Sequence, residues 1–350
     1  MDLLGGIIDV AFDVFFQKLH LRNLPALKDI GGPVDGCTCI VTGPTSGIGR
    51  ETAAVLVRRN AHVVLACRSA ERGEKLRKEL YDEGVKEGRK PTLEVQLLDV
   101  ASLESVRSFA KSWQQQERPL HMLINNAGIF SMGAERSMTE DGFEAHMGTN
   151  HLGPFLLTML LLPNLRQTAR KSNHGRPVRI VNVSSKMHEL APGFDTADPH
   201  FGKQGAYSSL AAYNRSKLAQ ILFTAELRRR LPGDCGMAAA AVHPGEVMTD
   251  VVRSLPGLMQ SAYRFFMRPF CLTPAQGARS SIYCATSRDP ILTERGQSME
   301  ADNCYFGAGC RCQSPSKHAL DPVLGEWLWS WSADMVKLPA KYDIKAHLRS

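Results

Sequence analysis

One feature constrains this 350-residue chain most: a short apolar strand runs into a glycine-rich turn and out into a helix. Cys37 to Val41 form the strand. The turn is Thr42-Gly43-Pro44-Thr45-Ser46-Gly47-Ile48-Gly49-Arg50, and Ile48 to Arg59 carries helical spacing. Such a turn lets backbone approach a pyrophosphate closely. The helix start adds free N–H groups and the positive end of its dipole. Gly43, Ser46, Gly47, Ile48, Gly49 and Arg50 are therefore expected to hold a dinucleotide. Pro44 removes one N–H from the turn and weakens it modestly.

Strand and helix patterns alternate from there on. His62 to Cys67, Leu93 to Leu97, Met122 to Ile124, Val178 to Val183 and Ala238 to Val242 read as short strands with helices between them. Continuously apolar strands of this length predict an α/β fold, a doubly wound parallel sheet of Rossmann type covered on both faces. Ligands meet such sheets at the carboxyl ends of the strands. The expected organisation is an N-terminal amphipathic helix and linker over 1–35, then a single domain over 36–350.

Residues just after each strand carry the chemistry. The second strand ends in Cys67-Arg68, with no carboxylate to take a ribose 2′-hydroxyl. Arg68 and Arg50 would instead grip a 2′-phosphate through paired, charge-assisted bonds, which points to NADP(H) rather than NAD. Asp99, followed by Val100, can cap a helix beginning near Ala101. Asn125-Asn126-Ala127-Gly128 ends the fourth strand, with small residues where a cofactor can lie close. Tyr213 and Lys217 stand at i and i+4, on one helix face. A free phenol has a pKa near 10 and is a poor base at neutral pH. A nearby ammonium favours the phenolate, so Lys217 is expected to make Tyr213 a usable proton shuttle.

These motifs, in this order, resemble the short-chain dehydrogenase/reductase family over roughly residues 36 to 340. Strings such as Asn150-His-Leu-Gly, Ser216-Lys217-Leu-Ala and Cys304-Tyr305-Phe306 resemble its retinol dehydrogenase and WW-domain oxidoreductase-like branch. The resemblance implies a catalytic set of Asn150, Ser185, Tyr213 and Lys217, with Ser184 as the alternative to Ser185. Asn150 would hold a water in the proton relay. Tyr213 and Lys217 would also touch the cofactor, as would Asn126, Ala127 and Gly128, and Asp99 with Val100 would contact its adenosine, the alternative to a helix cap. Pro244, Gly245, Val247 and Thr249, in a PGxVxT-like loop, would brace the nicotinamide. The branch implies an NADP(H)-dependent oxidoreductase acting on a small lipophilic carbonyl or alcohol, of the retinoid, steroid or lipid aldehyde class. It also implies a homodimer paired through helices flanking the site. The alternative is a nucleotide-binding regulatory or scaffold protein with little turnover.

Residues near 250–272 are rich in Met and aromatic side chains. They read as a lipophilic substrate lid or as an amphipathic helix on the body. Asp2, Asp9 and Asp13 share one face of the N-terminal pattern, which fits docking on protein as well as peripheral membrane contact. Nine scattered cysteines without a CxxC pair suggest reduced thiols and no metal site. The net charge of +7 is spread without a basic stripe, so no nucleic acid partner is expected. The expected location is intracellular, cytoplasmic or at the surface of a membrane such as the endoplasmic reticulum.

Overall fold

The computed structural model describes residues 12, 15–171, 177–191, 193–231, 236–248, 266–288 and 304–344. Most of the N-terminal pattern, Thr249 and most of the expected lid lie outside the described residues.

The strands are β1 (Thr38–Thr42), β2 (His62–Cys67), β3 (Thr92–Leu97), β4 (Met122–Asn125), β5 (Val178–Val183), β6 (Met237–Val242) and β7 (Tyr305–Phe306). All pair in parallel, in the order β3-β2-β1-β4-β5-β6-β7. The winding reverses at β1, so a crevice opens beyond the carboxyl ends of β1 and β4. The doubly wound parallel sheet expected from the sequence is present.

Helices α1 (Gly47–Arg58), α2 (Ala70–Lys86), α3 (Leu103–Gln115), α4 (Gly153–Lys171), α5 (Ser209–Arg230), α6 (Pro274–Thr286) and α7 (Pro322–Met335) cover the sheet. Their starts follow local chemistry. Ser69, Ser102 and Ser208 accept hydrogen bonds from the first turns of α2, α3 and α5, and Thr273 with Gln276 forms a capping box before α6. The helix after β3 thus starts at Leu103 under Ser102. Asp99 is not its cap; its carboxylate accepts from Ala101 N at 2.9 Å.

Alternate strand residues feed two cores. Ile40, Val64, Leu123 and Ile180 join the α3–α4–α5–α7 side, while Val41, Leu65, Ile124 and Val181 join the α1–α6 side. β5 and β6 are wholly buried, as the apolar runs require, whereas β3 is an edge strand and only half-buried. A chain of buried amides sets the register of α5 on the sheet. Asn125 donates to Asn182 (2.8 Å) and Thr158 (2.9 Å), and Asn182 donates to Thr224 of α5 (2.9 Å). Nearly every position of α5 is buried, with Trp329 of α7 lying against Phe223 of α5 and Phe155 of α4.

Among the described residues no helix is long and apolar enough to cross a membrane, and no cluster of His, Cys, Asp or Glu could hold a metal.

Candidate active site

The turn after β1 is held by small residues and backbone. Thr42 Oγ1 accepts from the N–H groups of Asn126 (3.0 Å) and Ala127 (2.9 Å). Asn126 Nδ2 returns bonds to Thr42 O (2.9 Å) and Gly43 O (3.2 Å). The ends of β1 and β4 are thus laced together across the switch point. Gly49 has no room for a side chain, since a Cβ there would lie 2.3 Å from Gly43 O and 2.4 Å from Asn126 Nδ2.

A cavity of about 260 Å³ opens above this lacing. Gly43, Ser46, Gly47, Ile48 and Gly49 line it from the turn. Asp99, Val100, Asn126, Ala127 and Gly128 line it from the ends of β3 and β4. Arg68 stands at its rim, joined by Arg72, one turn into α2. Arg50 is not on the lining; its guanidinium pairs with Glu51 (3.0 Å) and Glu79 (3.3 Å) on the outer side. The second rim arginine is therefore Arg72. Sequence reasoning missed it, although its i+4 spacing from Arg68 on a helix start was visible.

At the other end of the crevice α5 meets the end of β5. Lys217 Nζ donates to Val183 O at 2.9 Å, and Ser184 Oγ donates to Lys217 O at 2.8 Å. That second bond buries Ser184 as a structural tie. Ser185 is the serine whose hydroxyl bonds the phenol of Tyr213; it also accepts from Met187 N at 3.2 Å. Lys217 Nζ lies 5.6 Å from the centre of the Tyr213 ring. A Cβ on Gly128 would meet Asn150 Oδ1 at 3.0 Å and Lys217 Nζ at 3.5 Å. Gly128 is therefore the meeting point of the cavity and the Tyr–Lys pair.

Asn150 sits in a π-helical turn, Gly148–Leu152, a local distortion often found at functional sites. Its side chain clamps Ile129, accepting from the N–H at 2.8 Å and donating to the carbonyl at 3.0 Å. It also donates to Ser216 Oγ at 2.9 Å. Its own carbonyl accepts from Gln220 Nε2. The next residue but one is held too: Ser131 N donates to His146 Nε2 (3.2 Å), and His146 Nδ1 bonds Glu144 at 2.8 Å. Between these clamps Phe130 stacks on the Tyr213 ring with centroids 4.2 Å apart. Phe130, His146 and Glu144 carried no motif that could have singled them out.

The electrostatics differ from the sequence expectation. Burial and the negative charge of Glu246 push the Tyr213 phenol above its ordinary value, and the Ser185 bond only partly opposes them. Burial also pushes the Lys217 ammonium down to about 8. The ammonium bonds Val183 O and stands 5.6 Å from the ring centre, and its attraction for the phenolate does not offset burial and Glu246 as the i+4 spacing suggested. Glu246 is pushed up to about 7 by burial. It stands within the Pro244-Gly245-Glu246-Val247 loop after β6, where Gly245 has φ +82°. Val247 pairs its backbone with Leu272, and a Cβ on Gly277 would touch both Val247 Cγ2 (2.4 Å) and Ile48 Cγ1 (3.3 Å). Val247 and the turn residue Ile48 thus both stand against Gly277. Pro244 is buried in the same loop as Val247.

The short chain dehydrogenase model matches residues 38–197. The chain is 38% identical to the dehydrogenase/reductase SDR family member FEY of Arabidopsis thaliana, over 97% of this chain and 88% of that protein. It is 42% identical to retinol dehydrogenase 11 of Homo sapiens, over 87% of each. Among solved structures, an uncharacterised protein from Mycobacterium paratuberculosis superposes with a TM-score of 0.66 at 31% identity, over 90% of this chain and 98% of that one. The Pseudomonas aeruginosa RhlG/NADP complex gives 0.57 at 25% identity, over 75% and 93%.

Proposed function

The chain belongs to the short-chain dehydrogenase/reductase family of oxidoreductases, in its retinol dehydrogenase-like branch, and from that premise we propose that it is an NADP(H)-dependent reductase or dehydrogenase of lipophilic carbonyls and alcohols. One observation carries the reading: Gly128 lines the glycine-turn cavity and also abuts Lys217 beside Tyr213. A nucleotide in the cavity and a proton-carrying phenol would share one mouth.

The residues fit the cofactor. The turn glycines bring backbone to the cavity wall with no room for a Cβ at Gly43 or Gly49, and the N-terminus of α1 lines the cavity where a phosphate would sit. Cys67, buried at the end of β2, supplies no carboxylate for a ribose hydroxyl. Arg68 and Arg72 at the rim form no ion pair among the described residues, which leaves both for a 2′-phosphate. Bound there, the nicotinamide supplies or accepts the hydride.

The chain's own groups then handle the proton. With its pKa raised, Tyr213 is a neutral phenol at neutral pH, the form that donates to a developing alkoxide in carbonyl reduction. Ser185 holds that phenol and would hold the substrate oxygen. Lys217, charged below about 8, favours the phenolate left behind. Asn150, Gly128 and Phe130 fix the pair. In alcohol oxidation the phenolate must form first, so oxidation rises with pH.

Similarity to retinol dehydrogenase 11 supports a lipophilic substrate. Peripheral membrane contact is part of the proposal: Phe12, Phe15, Phe16, Leu19 and Phe266 are exposed, and Phe15 also stacks edge-on to Phe270. The test is NADPH consumption by purified full chain against retinal, steroid ketones and medium-chain aldehydes. Turnover of at least one class is expected. Tight NADPH binding with no turnover across the panel would favour the non-catalytic reading.

A further inference from the structure

A second, smaller cavity lies against the loop that follows β6. It measures about 150 Å³. Four separated parts of the chain wall it: Gln17 and His20 near the N-terminus, Lys186 after β5, His243 and Glu246 after β6, and Gln313 after β7. Lys186 directly follows the Ser185 that bonds Tyr213, and Glu246 is close enough to raise the phenol's pKa.

The N-terminal wall is fixed. Gln17 is buried and binds both sides of the Glu246 peptide, accepting from its N–H at 2.9 Å and donating to its carbonyl at 3.1 Å. The same amide donates to Phe270 O at 3.1 Å, and Lys18 donates to Arg268 O at 2.8 Å. The position of Glu246 is thus determined by a residue more than two hundred positions away.

Among the described residues the Glu246 carboxyl meets no cation and no hydrogen-bond donor, and burial is the sole cause of its shift. Glu246 is half-buried and stands on the cavity lining. A carboxyl without a donor, lining a cavity beside a reactive phenol, is arranged for a donor brought by a ligand. The neighbouring Lys186 ammonium, which pairs with Glu189 at 3.7 Å, disfavours a cationic ligand. A hydroxyl fits.

We propose that this cavity is a substrate subsite in which Glu246, held by Gln17, binds a hydroxyl group carried on the substrate within a few bonds of the reacting carbon. The proposal rests on the oxidoreductase reading and narrows it to hydroxylated carbonyl substrates. It also makes the N-terminal segment part of the site.

The test compares saturated aldehydes and ketones of equal length with and without one hydroxyl, placed two, four or six carbons from the carbonyl. Full chain with NADPH is used. At one spacing the hydroxylated member should win in kcat/KM by about 10-fold or more, the scale of a hydrogen bond to a charged group. Glu246→Ala should bring that ratio near one, and so should Gln17→Ala, which leaves the carboxyl present but unheld. Glu246→Gln, which still accepts a bond, should keep part of the preference. NADPH affinity, read by fluorescence, serves as the folding control. A wild-type ratio near one at every spacing, or a ratio untouched by Glu246→Ala, overturns the subsite while the deoxy substrates still turn over. Failure of both series to turn over overturns the parent reading instead.

Discussion

The two ends of the crevice are built by opposite means. The nucleotide end is made of backbone and small side chains. Thr42, Asn126 and the glycines lace β1 to β4 with short bonds, and the charged groups stand outside at the rim. The proton end is made of titratable side chains drawn largely out of water. Lys217, His146 and Glu144 are buried and Tyr213 and Glu246 half-buried, and burial heads the causes of every shift that is resolved among them. One end works by shape and the other by displaced proton affinities. The first should break sterically and the second should break with charge and pH.

The largest effect is expected at the proton end. Lys217→Ala removes the ammonium that favours phenolate and should lower kcat by about 10²- to 10⁴-fold. NADPH titration of the same variant checks that the nucleotide end survives. At the nucleotide end Gly49→Ala drives a Cβ against Gly43 O and Asn126. Overpacking of this kind costs about 1–3 kcal/mol, read as a lower urea midpoint, with NADPH affinity falling alongside. An unchanged midpoint would mean the lacing is looser than described. Next comes the rim. Replacing Arg68 and Arg72 together by Ala should weaken NADPH by about 10- to 100-fold and leave NADH nearly unaffected. Isothermal titration with both nucleotides decides it. Arg50→Ala, by contrast, should leave that preference in place, because Arg50 is committed to Glu51 and Glu79.

The smallest expected effect is the most specific to the proton end. A carboxylate at 246 raises the phenol's pKa. Removing the charge by Glu246→Gln must lower it, which moves the acid limb of alcohol oxidation to lower pH. Below that limb the variant should oxidise at least about 3-fold faster than wild type at equal pH. A limb that stays put would show that Glu246 does not act on Tyr213. Protonating wild-type Glu246, near pH 7, has the same sign as the substitution.

The contrast also explains what could be read from the amino acids alone. Glycine spacing is local, and a strand–turn–helix unit fixes where a phosphate goes, so the turn and the parallel, doubly wound character of the sheet were legible. Tyr213 and Lys217 were legible because one helix carries both. Arg50 misled because sequence proximity to the turn does not say which side of α1 a side chain takes. The choice between Ser184 and Ser185 required knowing which of two adjacent side chains faces α5's backbone and which faces its phenol. Phe130, His146, Gln17 and Glu246 were hidden for a different reason. Each gains meaning only from a partner far along the chain. The sign of the Tyr213 shift was misread likewise, because a spacing of four residues reports a neighbouring ammonium but reports neither burial nor a carboxylate from another loop.

The central claim is that the phenol of Tyr213 carries the proton at a mouth shared with the nucleotide. The most direct measurement pairs two readouts on Tyr213→Phe: NADPH binding, and NADPH consumption with the best carbonyl substrate of the wild type. The account predicts binding within about twofold of wild type and turnover reduced by at least about 10²-fold. Turnover that persists near the wild-type rate while NADPH stays bound would contradict it.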